Sequence, residues 1–163
     1  MRRLPLLLLP LLASCNTIAR DETPFFDRGP ERDRATAAEL VAARHAMMHM
    51  AATLTFESVM PAVRNGTDVK RQEHAADGLA HFGHSIAGLF PDDSLTPESR
   101  ALPAIWTNKA DFDAKAKAFG DASARLAQLA AAGDTAGFAA QSKVVASGCN
   151  SCHSLYRAEE AKH

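Results

Sequence analysis

Apolar residues recur along most of the chain at intervals of three and four, which is the repeat of a helix face. Leu40, Met47, Met48, Ala51, Leu54 and Thr55 trace one such stripe. Thr36 and Glu39 stand in front of it with the spacing of a capping box, in which hydroxyl and carboxylate satisfy free amides at a helix start. A first helix is therefore predicted from Thr36 to about Met60, ended by Pro61 and Asn65-Gly66. A second runs from Thr67 to Phe90, with Leu79, Phe82, Ile86 and Leu89 on one side, and Pro91 stops it. The segment up to Thr107 contains Pro91, Pro97 and Pro103 and reads as a long connection across one end of a bundle. Asn108 with Asp111 marks the start of a third helix carrying Phe112, Phe119, Leu126 and Leu129. Gly133-Asp134 closes it and caps a fourth, whose inner face holds Phe138, Val145, Cys149 and Tyr156. Two tight links and one long link between four amphipathic helices predict an all-α fold, an antiparallel four-helix bundle.

Composition agrees with this reading. A chain of 163 residues with 47% apolar and 23% charged residues supports one domain with its own core. Alanine is frequent and aromatic residues make up 6%, which favours helices over strands. The formal charge of −1 provides no basic surface for nucleic acid. No nucleophile–base constellation or phosphate loop appears, so nothing supports a hydrolase or transferase and the chain does not read as an enzyme.

The N-terminal segment is predicted to be an export signal. Arg2 and Arg3 precede an apolar stretch of ~10 residues, the length of a signal-peptide core and too short to span a bilayer. It runs into Leu12-Ala13-Ser14-Cys15, which resembles the lipobox of bacterial lipoproteins, where the cysteine is acylated and becomes the mature N-terminus. Residues 1–14 are then the signal peptide, and Cys15 holds the protein at a membrane surface by its acyl chains. Ordinary cleavage after Thr17-Ile18-Ala19, with loss of Cys15, is the competing reading. Residues 15–35, charged and interrupted by Pro24, Gly29 and Pro30, read as a flexible tether before a bundle over 36–163.

The densest chemistry lies near the other end. Cys149, Cys152 and His153 stand at i, i+3 and i+4 and share one face of the fourth helix. Cys-x-x-Cys-His is the attachment sequence of c-type haem: each thiol adds to a vinyl group and the adjacent imidazole reaches the iron. The count agrees, because three cysteines leave two for haem and one for lipid. A disulfide or a thioredoxin-like pair would explain neither His153 nor the absence of a βαβ pattern.

With this motif on the last helix, Tyr156-Arg157 after it, Ala104-Ile105-Trp106 before the third helix and Arg44 to Met48 in the first, the chain resembles cytochrome c′ over about residues 36–160. The resemblance implies that Arg44 lies beside the haem propionates, with His45 near them, that Met48 covers the distal face, and that Arg157 flanks the proximal face. Arg44 also falls on the apolar stripe, where an anionic partner would offset its charge; the alternatives are a snorkelling surface Arg44 and a solvated Arg157 at a helix end. Five-coordinate iron that binds nitric oxide and carbon monoxide is the preferred reading. The alternative is a low-spin electron carrier in which Met48 is the sixth ligand. The resemblance further implies a homodimer through the first two helices, and export implies periplasmic redox partners. His74, His81 and His84 lack a further ligand and read as surface residues, and Asn65-Gly66-Thr67 reads as a turn and helix cap.

Overall fold

The computed structural model describes residues 35–159, and the predicted signal peptide, Cys15 and nearly all of the predicted tether lie outside them. The bundle is all-α, and its first long helix begins as α1, Ala37–Thr53. Its start is the expected capping box: Glu39 N donates to Thr36 Oγ1 at 3.2 Å and Thr36 N donates to Glu39 Oε2 at 2.7 Å. The Thr36 amide, and then the Thr36 hydroxyl donating to the same Oε2 at 2.8 Å, hold the Glu39 carboxyl below its usual pKa.

Pro61 does not end this helix. The chain passes through a π turn, Leu54–Val59, into α2, Met60–Asn65, and stops at Gly66, whose φ of 63° is left-handed. The reason is the missing amide of proline and the crowding of its ring against the carbonyl four residues back. In the π turn the bonds slip by one residue, with Met60 N–H donating to Thr55 O, so Pro61 enters at the first turn of a new segment.

The second long helix also differs at its start. Thr67 does not cap it; Asp68 takes a left-handed φ of 56° and a 3-10 turn, Val69–Gln72, leads into α3, Glu73–Ser85. The tighter turn buries Val69, which is 5% exposed. A second 3-10 turn, Ile86–Leu89, finishes the helix. Within the long connection the chain makes one short helix that the sequence pattern did not foretell, α4, Ala104–Thr107, which buries Ile105.

The third helix is α5, Lys109–Ala132, and the fourth is α6, Thr135–Tyr156. Their tight link is as expected: Gly133 adopts φ 71°, and Asp134 Oδ1 accepts from Gly137 N at 2.8 Å. Asn108 and Asp111 make no side-chain cap on α5, because α6 claims both, as described below.

The core runs between all four helices, with Ala76, Leu79, Leu126, Ala130 and Phe138 fully buried. Helices α3 and α5 cross with their backbones nearly touching: a Cβ on Gly83 would lie 2.6 Å from Gly120 Cα. No side chain fits there, so glycine is required at the crossing. Helix α2 packs on α6, whereas α1 packs on α3 and on the 3-10 turn after it. His74, His81 and His84 are exposed, His84 pairing with Asp121 at 3.1 Å, and no cluster of three metal-binding side chains occurs among the described residues. No described helix is long and apolar enough to cross a membrane.

Candidate functional site

Cys149, Cys152 and His153 occupy the last two turns of α6 and are all half-buried, with both cysteines as free thiols. Burial pushes the Cys149 thiol up. The Cys152 thiol rises too, mainly through burial, with Lys115 opposing and Cys149 and Asp111 reinforcing the shift. Burial, and then the charges of Arg157 and Arg100, lower the His153 pKa and keep a neutral imidazole with a lone pair to donate. Two thiols and one neutral imidazole on one helical face are the donor set that covalent attachment and axial ligation of haem require.

The end of α6 is fixed by Tyr156, which is 4% exposed. Its hydroxyl donates to Asp111, while Asn108 Nδ2 donates to the Tyr156 oxygen at 3.3 Å. Lys115 completes the cluster, donating to the other Asp111 oxygen at 2.8 Å. Burial and the Asp111 carboxylate push the phenol up to about 12. Because this folded value lies above the ordinary phenol value of 10.0, the stability gained by keeping Tyr156 neutral is complete below pH 10 and lost as pH rises toward about 12. Tyr156→Phe should therefore cost about 1–3 kcal/mol below pH 10, with the deficit shrinking through that window. Denaturant midpoints of the two proteins on either side of pH 10 check this; a constant difference would contradict it.

Aromatic edges lead from Tyr156 across the bundle. Its ring meets Phe112 at 5.3 Å, Phe112 meets Phe90 at 5.0 Å, and Phe90 meets Trp106 at 6.2 Å. Arg44 ends this series, with its guanidinium 4.2 Å from the Phe90 ring centre and 5.9 Å from that of Trp106.

Arg44 does not snorkel to the surface; it is 4% exposed. Nε donates to Leu89 O at 2.7 Å, Nη1 donates to Ser94 O at 2.9 Å, and Nη2 donates to Ser94 Oγ. Desolvation lowers its pKa. Met48, one turn on, is half-buried and packs against the core together with Met47, while His45 is exposed. Arg157 lies just past the helix, not on its face. It is extended and exposed, and forms an antiparallel bridge with Ala101. Its charge nonetheless reaches His153.

The connection between α3 and α5 thus ties both halves of the site together. One end is bonded to Arg44 of α1, and the other holds the end of α6 through Leu102 N to Tyr156 O at 3.0 Å and Ala158 N to Arg100 O at 2.8 Å. Trp106 Nε1 closes the connection on itself by donating to Pro91 O at 2.8 Å. Sequence reasoning singled out neither Ser94 nor the Asp111–Tyr156 pair: Ser94 lies in an aperiodic stretch, and Asp111 reads as an ordinary helix start.

The family model described as Cytochrome C' matches residues 39–157. Cytochrome c-556 from Agrobacterium tumefaciens (strain B2A) is 48% identical over 60 residues, 36% of this chain and 48% of that protein. Cytochrome c' from Rhodopseudomonas palustris is 36% identical over 89 residues, covering 51% of this chain and 56% of that one. The chain spans about half the length of the curated relatives it matches. Among solved structures, the nitric oxide complex of a mutant cytochrome c prime from Alcaligenes xylosoxidans superimposes with a TM-score of 0.71 at 24% identity, over 78% of this chain and 100% of that chain. A cytochrome c' with ligand-controlled dimer dissociation gives 0.71 at 22% identity, over 77% of this chain and 99% of that chain. These two likenesses show the fold, and the family match covers the buried arginine at one end and the cysteine-histidine face at the other. The chain belongs to the cytochrome c′ family and carries a covalently attached haem c.

Proposed function

We propose that this chain is a periplasmic monohaem cytochrome in which Cys149 and Cys152 carry the thioether bonds, His153 is the axial ligand and Met48 covers the opposite face without bonding the iron. The haem supplies an iron that binds diatomic gases and exchanges electrons. Arg44 presents a buried cation to the haem carboxylates, and Arg157 adds an exposed charge on the histidine side. Export through residues 1–14, with acylation of Cys15, places the protein at the periplasmic face of a membrane.

The observation that carries the gas-binding reading is the composition around Met48. Met47, Met48 and Leu54 are half-buried against the apolar core, while His45 and His49 are exposed. Thioether and aliphatic bulk on that stretch of the helix is a setting that admits small uncharged ligands and penalises anions. Nitric oxide and carbon monoxide are bound by cytochrome c prime variants of the same fold, which supports the same ligands here. A relative with ligand-controlled dimer dissociation supports a homodimer.

Met48→Ala is the test. If the thioether only packs, the ferrous protein is high-spin, and the substitution removes the cost of displacing it, raising carbon monoxide affinity by about 1–3 kcal/mol, or about 5- to 150-fold. A low-spin wild type with a sulfur-to-iron charge-transfer band, lost in Met48→Ala, would instead establish an electron carrier with histidine and methionine ligands.

A further inference from the structure

Ser94 is 0% exposed, and both of its oxygens are directed at Arg44. Its carbonyl accepts from Nη1 at 2.9 Å and its hydroxyl accepts from Nη2. The hydroxyl proton is committed elsewhere, donated to Pro91 O at 2.6 Å, so toward Arg44 the oxygen acts only as an acceptor. With Nε on Leu89 O, three of the five guanidinium N–H groups are held by one short segment of chain, and one N–H remains on each terminal nitrogen. Phe90 and Trp106 cover the guanidinium. All three bonds go to neutral acceptors, and among the described residues no carboxylate pairs with Arg44. A buried cation bound only by neutral oxygens is costly, and a carboxylate on the two remaining N–H groups would offset that cost.

We propose that Ser94 is a positioning residue: it clamps the Arg44 guanidinium so that its buried charge is held against the haem carboxylates and raises the midpoint potential of the iron. The proposal rests on the placement of Arg44 given above. A fixed positive charge, shielded from water, favours the reduced iron over the more positive oxidised one. Released from Ser94, the flexible arginine side chain relaxes toward water, and its charge is screened.

The test uses the holoprotein with Ser94→Ala, Ser94→Cys, Arg44→Met and the double variant Ser94→Ala with Arg44→Met. Midpoint potentials are read by spectroelectrochemical titration, alongside haem content and helical circular dichroism. Ser94→Cys keeps the side-chain size and weakens the hydrogen bonds, so it remains informative should the alanine variant fail to fold. The expected result is a lowered potential in both Ser94 variants at unchanged haem content, and no further fall when Ser94→Ala is added to Arg44→Met. A wild-type potential in the Ser94 variants overturns the proposal, as does an equal fall whichever residue occupies position 44, since Ser94 would then act without Arg44. If Arg44→Met leaves the potential unchanged in a haem-loaded protein, the placement of Arg44 itself is wrong, and the role of Ser94 falls with it.

Discussion

Replacing Cys149 and Cys152 together by alanine is expected to abolish covalent haem and leave little folded protein. The two thiols sit at i and i+3 on α6, half-buried and facing the same way as His153, so both attachment points are lost from one helical face. Loss of a group as large as haem from beside a half-buried face of α6 would leave a cavity, and a cavity of that size costs several kcal/mol. Binding of the cofactor to the folded state alone adds to the difference by mass action. Acid-acetone extraction is the direct measurement: the wild type should keep its haem with the polypeptide and the double variant should hold none. Clean extraction of haem from the wild type would remove the attachment assignment. A disulfide is the other chemistry open to this pair, but both cysteines are free thiols in the folded chain, and bridging them within one continuous helix would distort its backbone.

Arg44→Met should produce the other large effect, a loss of about 3–5 kcal/mol of stability in the holoprotein. Methionine fills a similar volume between Phe90 and Trp106, so little of the loss is due to packing. It comes from the acceptors left behind: part-buried Leu89 O and buried Ser94 O lose their donors, and Ser94 Oγ keeps only its own bond to Pro91. Each stranded buried polar group costs about 1–3 kcal/mol. The connection held by these bonds also carries Arg100, Ala101 and Leu102, which secure the end of α6, so thermal unfolding followed by circular dichroism should show a midpoint lower by about 10–20 °C. Stability within about 1 kcal/mol of wild type would mean that the arginine is dispensable to this connection. Arg44→Lys should fall between the two, because an ammonium group replaces one or two of the three donors but cannot reproduce the planar fork.

The four long helices, the tight α5–α6 link and the capping box at Thr36 were legible because each depends on neighbours in sequence: a repeat of three and four, a glycine free to take positive φ, a hydroxyl three residues from a carboxylate. Where two local signals competed, the local reading failed. Pro61 signals a stop, yet the helix crosses it, because the π turn before it absorbs the missing amide and burial of Val59 and Ala62 favours continuation. Asn108 and Asp111 have the composition of a helix cap, and their side chains are spent on Tyr156, 45 to 48 residues away. Arg157 reads as one further turn of helix, and pairing with Ala101 draws it out into an extended bridge.

The sequence by itself determined the cofactor chemistry and the architecture: the spacing of Cys149, Cys152 and His153 places them on one helical face wherever that helix packs, and four apolar stripes require a bundle to bury them. Only the tertiary structure decided how Arg44 is held. Its charge is tolerated in the interior by Leu89 O, Ser94 and two aromatic faces, all supplied by residues at least 45 positions along the chain. No repeat in sequence encodes such contacts, since their geometry depends on where a long, aperiodic connection lands after the helices have packed.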